Sequence, residues 1–286
     1  MELTPEVQRQ LDAVRAGQAF APLDSRVFEV AGPDARKWLN DLVTAGIGPL
    51  EPGESAESLL LDATGRIKCH FVVGCIGDES FILVQQADQP ESVGKLLSRY
   101  VLTSKVTLTD VSEQRSVVRL AGGSGGPAAA WMIGDSVSPI TVHSATDAEV
   151  ADFYIGNLAL ASDGFEAARI ADGIPRVPND FAETSVPAEA GWDDLMVDAQ
   201  KGCFLGQESV AKIRNRGRPP FLVVGLRASG AVEVGEPVLL EGSETGVVTS
   251  ALSGARGSAV IARVRWFDGD TPDLRTSSGA ALTRPA

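Results

Sequence analysis

The chain has 286 residues, 44% of them apolar and 22% charged, with a formal net charge of −13. That length suits about two or three domains that bury roughly three quarters of the unfolded surface. No apolar run approaches the ~20 residues of a membrane helix, and the acidity argues against direct, stable nucleic-acid binding. The start, "MELTPEVQRQ", lacks a basic stretch followed by an apolar one, and there are three cysteines. Both features predict a cytoplasmic protein with free thiols.

"RVFEVAG" reads as a strand. It leads into "GPDARKWLNDLV", where Pro33 opens a helix with Ala35, Trp38, Leu39, Leu42 and Val43 along one face. "ESLLLDA", a "DATG" turn, "RIKCHFVVGCI" and "SFILVQQ" predict an antiparallel meander. Asp88 and Pro90 introduce a second helix with Val93, Leu96, Leu97, Tyr100 and Val101 on one face, and "KVTLTDV" returns as a strand. The order predicts an α+β unit of helices on one sheet over residues 1–112. After residue 113, "SVVRLAG" and "GPAAAWM" echo "RVFEVAG" and "GPDARKWL", so a second α+β unit is expected over 113–217. From Arg218 helix signals vanish, and short glycine-separated strands over 218–286 predict a small β-barrel.

Two motifs fail in context. Gly123, Gly125 and Ala128 make a literal G-x-G-x-x-A, but Pro127 interrupts the turn and Gly134 ends the helix a dinucleotide would need. Cys69 and Cys75, six apart on a strand, lie ~20 Å apart at the usual rise and cannot share an ion. With only His70 and His143 to help, no permanently bound metal is expected, and both thiols read as buried apolar residues. The basic run Lys212, Arg214, Arg216, Arg218 reads as a helix C-terminus stopped by Gly217 and Pro219, with attraction of an anionic ligand tail as the alternative.

The octet "KGCFLGQE", residues 201–208, holds more chemistry. "GQESVAKIRNR" predicts a helix starting near Gly206, which places Cys203 just before its N-terminus and two residues from Lys201. Both features favour a thiolate. Gly202 and Gly206 permit close ligand approach or positive φ. Spacing alone leaves two readings open: a functional loop, or a capping device with an incidental thiol.

The octet resembles the K-G-C-Y-x-G-Q-E signature of the YgfZ family, within the glycine cleavage T-protein superfamily, with Phe204 in place of the tyrosine. "DATGR" (Asp62 to Arg66), "ARIADGIP" with Arg169, "VPAEAG" with Glu189, and "VAKIRNRG" extend the resemblance, which is strongest over 165–217 and weakest in the barrel. It implies a three-domain protein around a central opening that binds tetrahydrofolate or a one-carbon derivative. It also implies support of iron–sulfur cluster assembly or repair, with iron–sulfur proteins or assembly factors as partners and an indirect link to tRNA modification.

On this resemblance Cys203 is the reactive group and Lys201 its electrostatic partner. Gln207 and Glu208 orient the loop, and folate binds near Arg169 and Glu189, with Gly202, Asp62 and Arg66 contributing. Related aminomethyltransferases carry an aspartate pair where this chain has Lys68, Cys69 and His70. They also carry a pterin-binding glutamate in R-L-E-A-G, where this chain has Arg169-Ile170-Ala171-Asp172-Gly173. Both departures count against transferase activity, and the second against a pterin contact at that position. A folate-dependent one-carbon transferase or demethylase remains the alternative, and a scaffold with a vestigial pocket the third.

Overall fold

The computed structural model describes residues 1–121, 131–133, 140–144, 159–255 and 257–285. Two five-stranded sheets and a closed six-stranded barrel form the frame.

The first sheet has the order β3 (Ser55–Leu61), β4 (Ile67–Gly77), β5 (Ser80–Gln86), β2 (Ser25–Ala31), β6 (Thr107–Asp110), antiparallel throughout. The meander emerges as predicted. Phe71, Val73, Phe81 and Leu83 face a core with Trp38 and Leu39 of helix α2 (Ala35–Leu42) and Leu96 and Leu97 of α3 (Val93–Leu97). Val72, Ile82 and Val84 are buried on the opposite face. Cys69 and Cys75 both sit in the first core. Two expectations shift slightly. Pro33 precedes the N-cap Asp34 instead of opening α2, and Tyr100 closes a 3₁₀ turn after α3 and is exposed.

The second sheet runs β10 (Ala159–Leu160), β1 (Ala19–Pro22), β7 (Arg115–Leu120), β9 (Ile140–Ser144), β8 (Trp131–Ile133). Its second strand comes from the start of the chain, so sheet membership crosses the boundary expected at residue 112. β1 pairs antiparallel with β7 and parallel with β10. Helix α1 (Pro5–Arg15) packs on α4 (Ser162–Ala171), with Val7 and Leu11 against Ala167 and Ile170. Trp131, in the echo of the first unit's helix, stands in a strand. The glycine loop of Gly123, Gly125 and Ala128 lies outside the described residues.

The barrel closes through β11 (Phe221–Ala228), β14 (Gly257–Arg265), β13 (Ser243–Gly254), β12 (Pro237–Leu240), β15 (Leu274–Thr276) and β16 (Ala281–Thr283), as the C-terminal pattern predicts. Between α4 and the barrel lie the short helix α5 (Trp192–Leu195) and helix α6 (Gln207–Arg216), which ends at Gly217 with φ 63°. The basic run follows the helix-end reading: Lys212 pairs with Glu208, Arg214 with Asp194, and Arg218 lies over Trp266.

Candidate functional site

The octet joins two packed regions. Phe204 packs among Leu59, Leu61, Trp192, Met196 and Val210, while Leu205 packs on the first sheet's core. Helix α6 begins after Gly206, whose φ is 83°. The Phe204 N–H donates to Gln207 Oε1 at 3.0 Å and so caps the turn. Gly206 abuts the "DATG" turn closely enough that a Cβ would lie 2.6 Å from the Asp62 carbonyl oxygen. A Cβ on Gly65 would lie 2.8 Å from Ser209 Cβ. Two motifs far apart in sequence therefore meet through glycines.

Asp62 organises its own turn by accepting from the Thr64 N–H, the Thr64 hydroxyl and the Arg66 N–H. Burial raises its pKa, but these hydrogen bonds outweigh that and leave the carboxyl below its ordinary range. Arg66, Gln207 and Glu208 are exposed, as are Gly202 and the Cys203 thiol.

The Lys201 ammonium is engaged at the end of α2. Its Nζ donates to the carbonyls of Asn40 (2.6 Å), Val43 and Ala45 (2.8 Å) at the end of α2, which occupies all three ammonium protons. Nζ also lies 5.2 Å from the Phe204 ring centroid. Burial pulls its pKa down to about 8, against the opposing pull of Asp198 and Asp41. Asp198 fastens the same junction. Its N–H donates to the Thr44 carbonyl, and its Oδ1 accepts from the Gln200 and Lys201 N–H groups.

Arg169 and Glu189, expected beside the ligand, are each held in a full set of hydrogen bonds within the protein. Arg169 directs its five N–H groups to Glu166 twice, to the Ile174 carbonyl, to Asp180 and to Ser250 of the barrel. Glu189 is buried and accepts from Ser185, the Val186 N–H and Arg263. Neither side chain has an unused donor or acceptor position to turn toward a ligand.

Unpaired polar atoms occur elsewhere. Among the described residues, His70 Nε2, Arg119 Nε, Arg176 Nε and Thr271 Oγ1 are buried without a hydrogen-bond partner. The first three come from β4, from β7 and from the loop after α4. His70 stacks at 5.3 Å on Trp192, itself 4.4 Å from Phe181. Its Nε2 is 4.0 Å from Glu57 Oε1, and burial lowers its pKa to about 4. Gln89 fixes the His70 backbone through both N–H and carbonyl.

Arg176 reaches Gln86 at 2.7 Å and Asp88 at 2.5 Å, and Arg119 lies 5.7 Å over the Phe165 ring. Burial lowers the Arg119 pKa, with Glu166 opposing it. In front of Glu57 opens a cleft of about 290 Å³, with Ala45 and Gly46 on one side and Leu195 and Asp198 on the other. Glu57, Arg119, Arg176 and Trp192 were not anticipated from sequence. A charged residue inside the apolar strand "SVVRLA" was the available signal for Arg119.

Burial raises the Cys69 pKa to about 12, and Lys68 lies 3.8 Å from Glu91. No carboxylate stands at residues 68–70.

Two sheets with their helices, joined to a closed C-terminal barrel, define a glycine-cleavage-T-type protein. Residues 3–153 match the GCVT N-terminal domain family, over half of the chain, and the chain belongs to that family. A chloroplastic putative transferase of Arabidopsis thaliana is 22% identical over 81% of this chain and 61% of its own length. The tRNA-modifying protein YgfZ of Escherichia fergusonii is 25% identical over 91% of this chain and 90% of its own. A mitochondrial iron–sulfur cluster assembly factor IBA57 homolog of Neurospora crassa is 24% identical over 67% and 49%. The chain thus spans about half to three fifths of the Neurospora and Arabidopsis relatives. Among solved structures, the glycine cleavage system aminomethyltransferase T of Bartonella henselae superposes with a TM-score of 0.82 over 96% of this chain and 87% of its own, at 16% identity. The two share a fold.

Proposed function

We propose that this protein binds tetrahydrofolate or a one-carbon derivative beside His70, Arg119 and Arg176. In this reading it supports assembly or repair of iron–sulfur clusters from the cytoplasm, with an indirect link to tRNA modification. The observation that carries it is three buried polar atoms without hydrogen-bond partners, His70 Nε2, Arg119 Nε and Arg176 Nε, the first on a ring packed against Trp192. A folate offers a flat heteroaromatic with acceptors, and a carboxylate tail. His70 and Trp192 would meet the ring, while Arg119 and Arg176 would take the tail, since guanidinium pairs with carboxylate through paired N–H groups. When bound, folate supplies a carrier for one-carbon units. The exposed Cys203 thiol is the nucleophilic group of the octet. The name of the IBA57 relative supplies the cluster-assembly context, and that of the YgfZ relative the link to tRNA modification.

Calorimetric titration with tetrahydrofolate and its 5-formyl and 5-methyl forms tests ligand binding. Arg176→Ala should weaken binding by roughly tenfold or more, the value of a lost charged hydrogen bond. No heat with any folate would leave the scaffold reading ahead. Complementation of iron–sulfur enzyme activity in deletion cells, with Cys203→Ser beside the wild type, tests the second half.

The shared fold with an aminomethyltransferase favours a second reading, one-carbon transfer. The absence of a carboxylate at residues 68–70 opposes it, since a missing general acid or base costs about 10²–10⁴-fold. Transfer from a lipoyl-carrier donor at transferase-like rates would reverse that judgement.

A further inference from the structure

We infer that the carbonyls of Asn40, Val43 and Ala45 form a cation seat, that Lys201 plugs it from a distant part of the chain, and that this plug positions the Cys203 loop. The seat has a local cause. A helix leaves its last carbonyls without intrahelical partners, and the partial negative charge gathers at that end. At α2 the chain turns extended at Val43 (φ −99°, ψ 166°). The Asn40 side chain then curls the following segment back by accepting from the Ile47 and Gly48 N–H groups at 3.0 and 3.2 Å. Three carbonyl oxygens consequently converge on one point, and the Lys201 ammonium occupies it.

The geometry suits a compact cation with donors in three directions. A guanidinium projects its N–H groups in a plane and cannot direct three of them at converging oxygens. The seat also touches the cleft, because Ala45 supplies one carbonyl and lines the cleft wall beside Gly46 and Asp198. Lys201 stands two residues from Cys203. Its chain position is held by Asp198 as well, so the plug fixes the loop's depth and not merely its existence. Lys201 is therefore a positioning residue whose ammonium is replaceable by a small free cation.

The test is Lys201→Ala in the full chain, reading amide hydrogen exchange over residues 201–206 by peptide mass. Three lost hydrogen bonds to a charged group should raise loop opening, and exchange, by on the order of tenfold. Ammonium or potassium chloride at about 0.1 M should return the rate toward wild type. Tetramethylammonium chloride at the same ionic strength, which screens charge equally but is too large for the seat, should not. Lys201→Arg should stay fast in all three salts. Unchanged exchange in Lys201→Ala, or equal rescue by tetramethylammonium, overturns the proposal. If Lys201→Ala does not fold, competitive acylation of the wild-type lysines decides. Lys201 must react more slowly than the exposed Lys37, Lys95 and Lys212 and become reactive in Asn40→Ala; equal reactivity with those lysines, or no change in Asn40→Ala, also overturns it.

Discussion

Arg263 of the barrel grips Glu189 of the preceding segment through Nε at 2.8 Å and Nη2 at 3.4 Å, with the carboxylate side chain fully buried. The pair ties the barrel to the sheets. Removing one partner of such a pair strands the other charge, at a cost of about 3–5 kcal/mol. Glu189→Gln should lower the unfolding free energy by roughly 3 kcal/mol, measured by urea denaturation. Folate affinity of the still-folded fraction should stay near wild type, whereas a large loss would restore Glu189 to the ligand site.

Gly206→Ala and Gly202→Ala make a matched test of the octet. Gly206 holds φ 83°, and its Cβ would meet the Asp62 carbonyl oxygen at 2.6 Å, so alanine should cost about 1–3 kcal/mol. Gly202 has open space around its Cβ position and should tolerate alanine within about 0.5 kcal/mol. Thermal unfolding of both variants separates them; equal effects would mean the contact with the "DATG" turn is unimportant.

The three thiols should label in a fixed order. Cys203 is exposed, while Cys69 and Cys75 are buried in the first core, and burial holds Cys69 near 12. Iodoacetamide at neutral pH, followed by peptide mass analysis, should modify Cys203 first and leave the other two until the chain unfolds. Early labelling of Cys69 would contradict the packing of β4.

His70 makes stability depend on acid in a predictable sense. Its folded pKa of about 4 lies below the ordinary 6.5, so the unfolded chain binds the proton first as pH falls. Its neutral form is fully favourable above about pH 6.5. The contribution declines as pH drops toward 4, by at most about 3 kcal/mol. His70→Gln should therefore flatten the loss of melting temperature between pH 7 and 4.5; parallel curves for the two proteins would refute the assignment.

Local features were legible in the sequence, and long-range partnerships were not. The meander declared itself because residues such as Phe71, Val73, Phe81 and Leu83 alternate with the pleat. The start of α6 was readable because Gly206 and Gly217 bracket it. Helix α1 was overlooked although Thr4 caps the Val7 N–H and Pro5 opens the helix. The site was harder. Lys201 lies near Cys203 in sequence, which suggested a thiolate partner, but its three acceptors are more than 150 residues away. Arg169 and Glu189 looked like ligand contacts until Asp180 and Arg263 supplied partners that no local pattern announces. Arg119 and Arg176 stand out only once the fold shows what their neighbours fail to satisfy.

The path of β1 bears on how the protein is made. Its parallel neighbour Ala159 lies 140 residues after Ala19. At ordinary translation speeds of about 5–20 residues per second, that strand waits on the order of ten seconds for its partner to leave the ribosome. The first sheet, all of whose strands fall between Ser25 and Asp110, has no such delay. The very first residues wait longest, since the Met1 amino group donates to the Ala251 carbonyl and the Leu3 N–H to that of Ser253 in the barrel. Synthesis in chain order thus leaves residues 1–3 without these partners until β13 has emerged, long after the first sheet is complete.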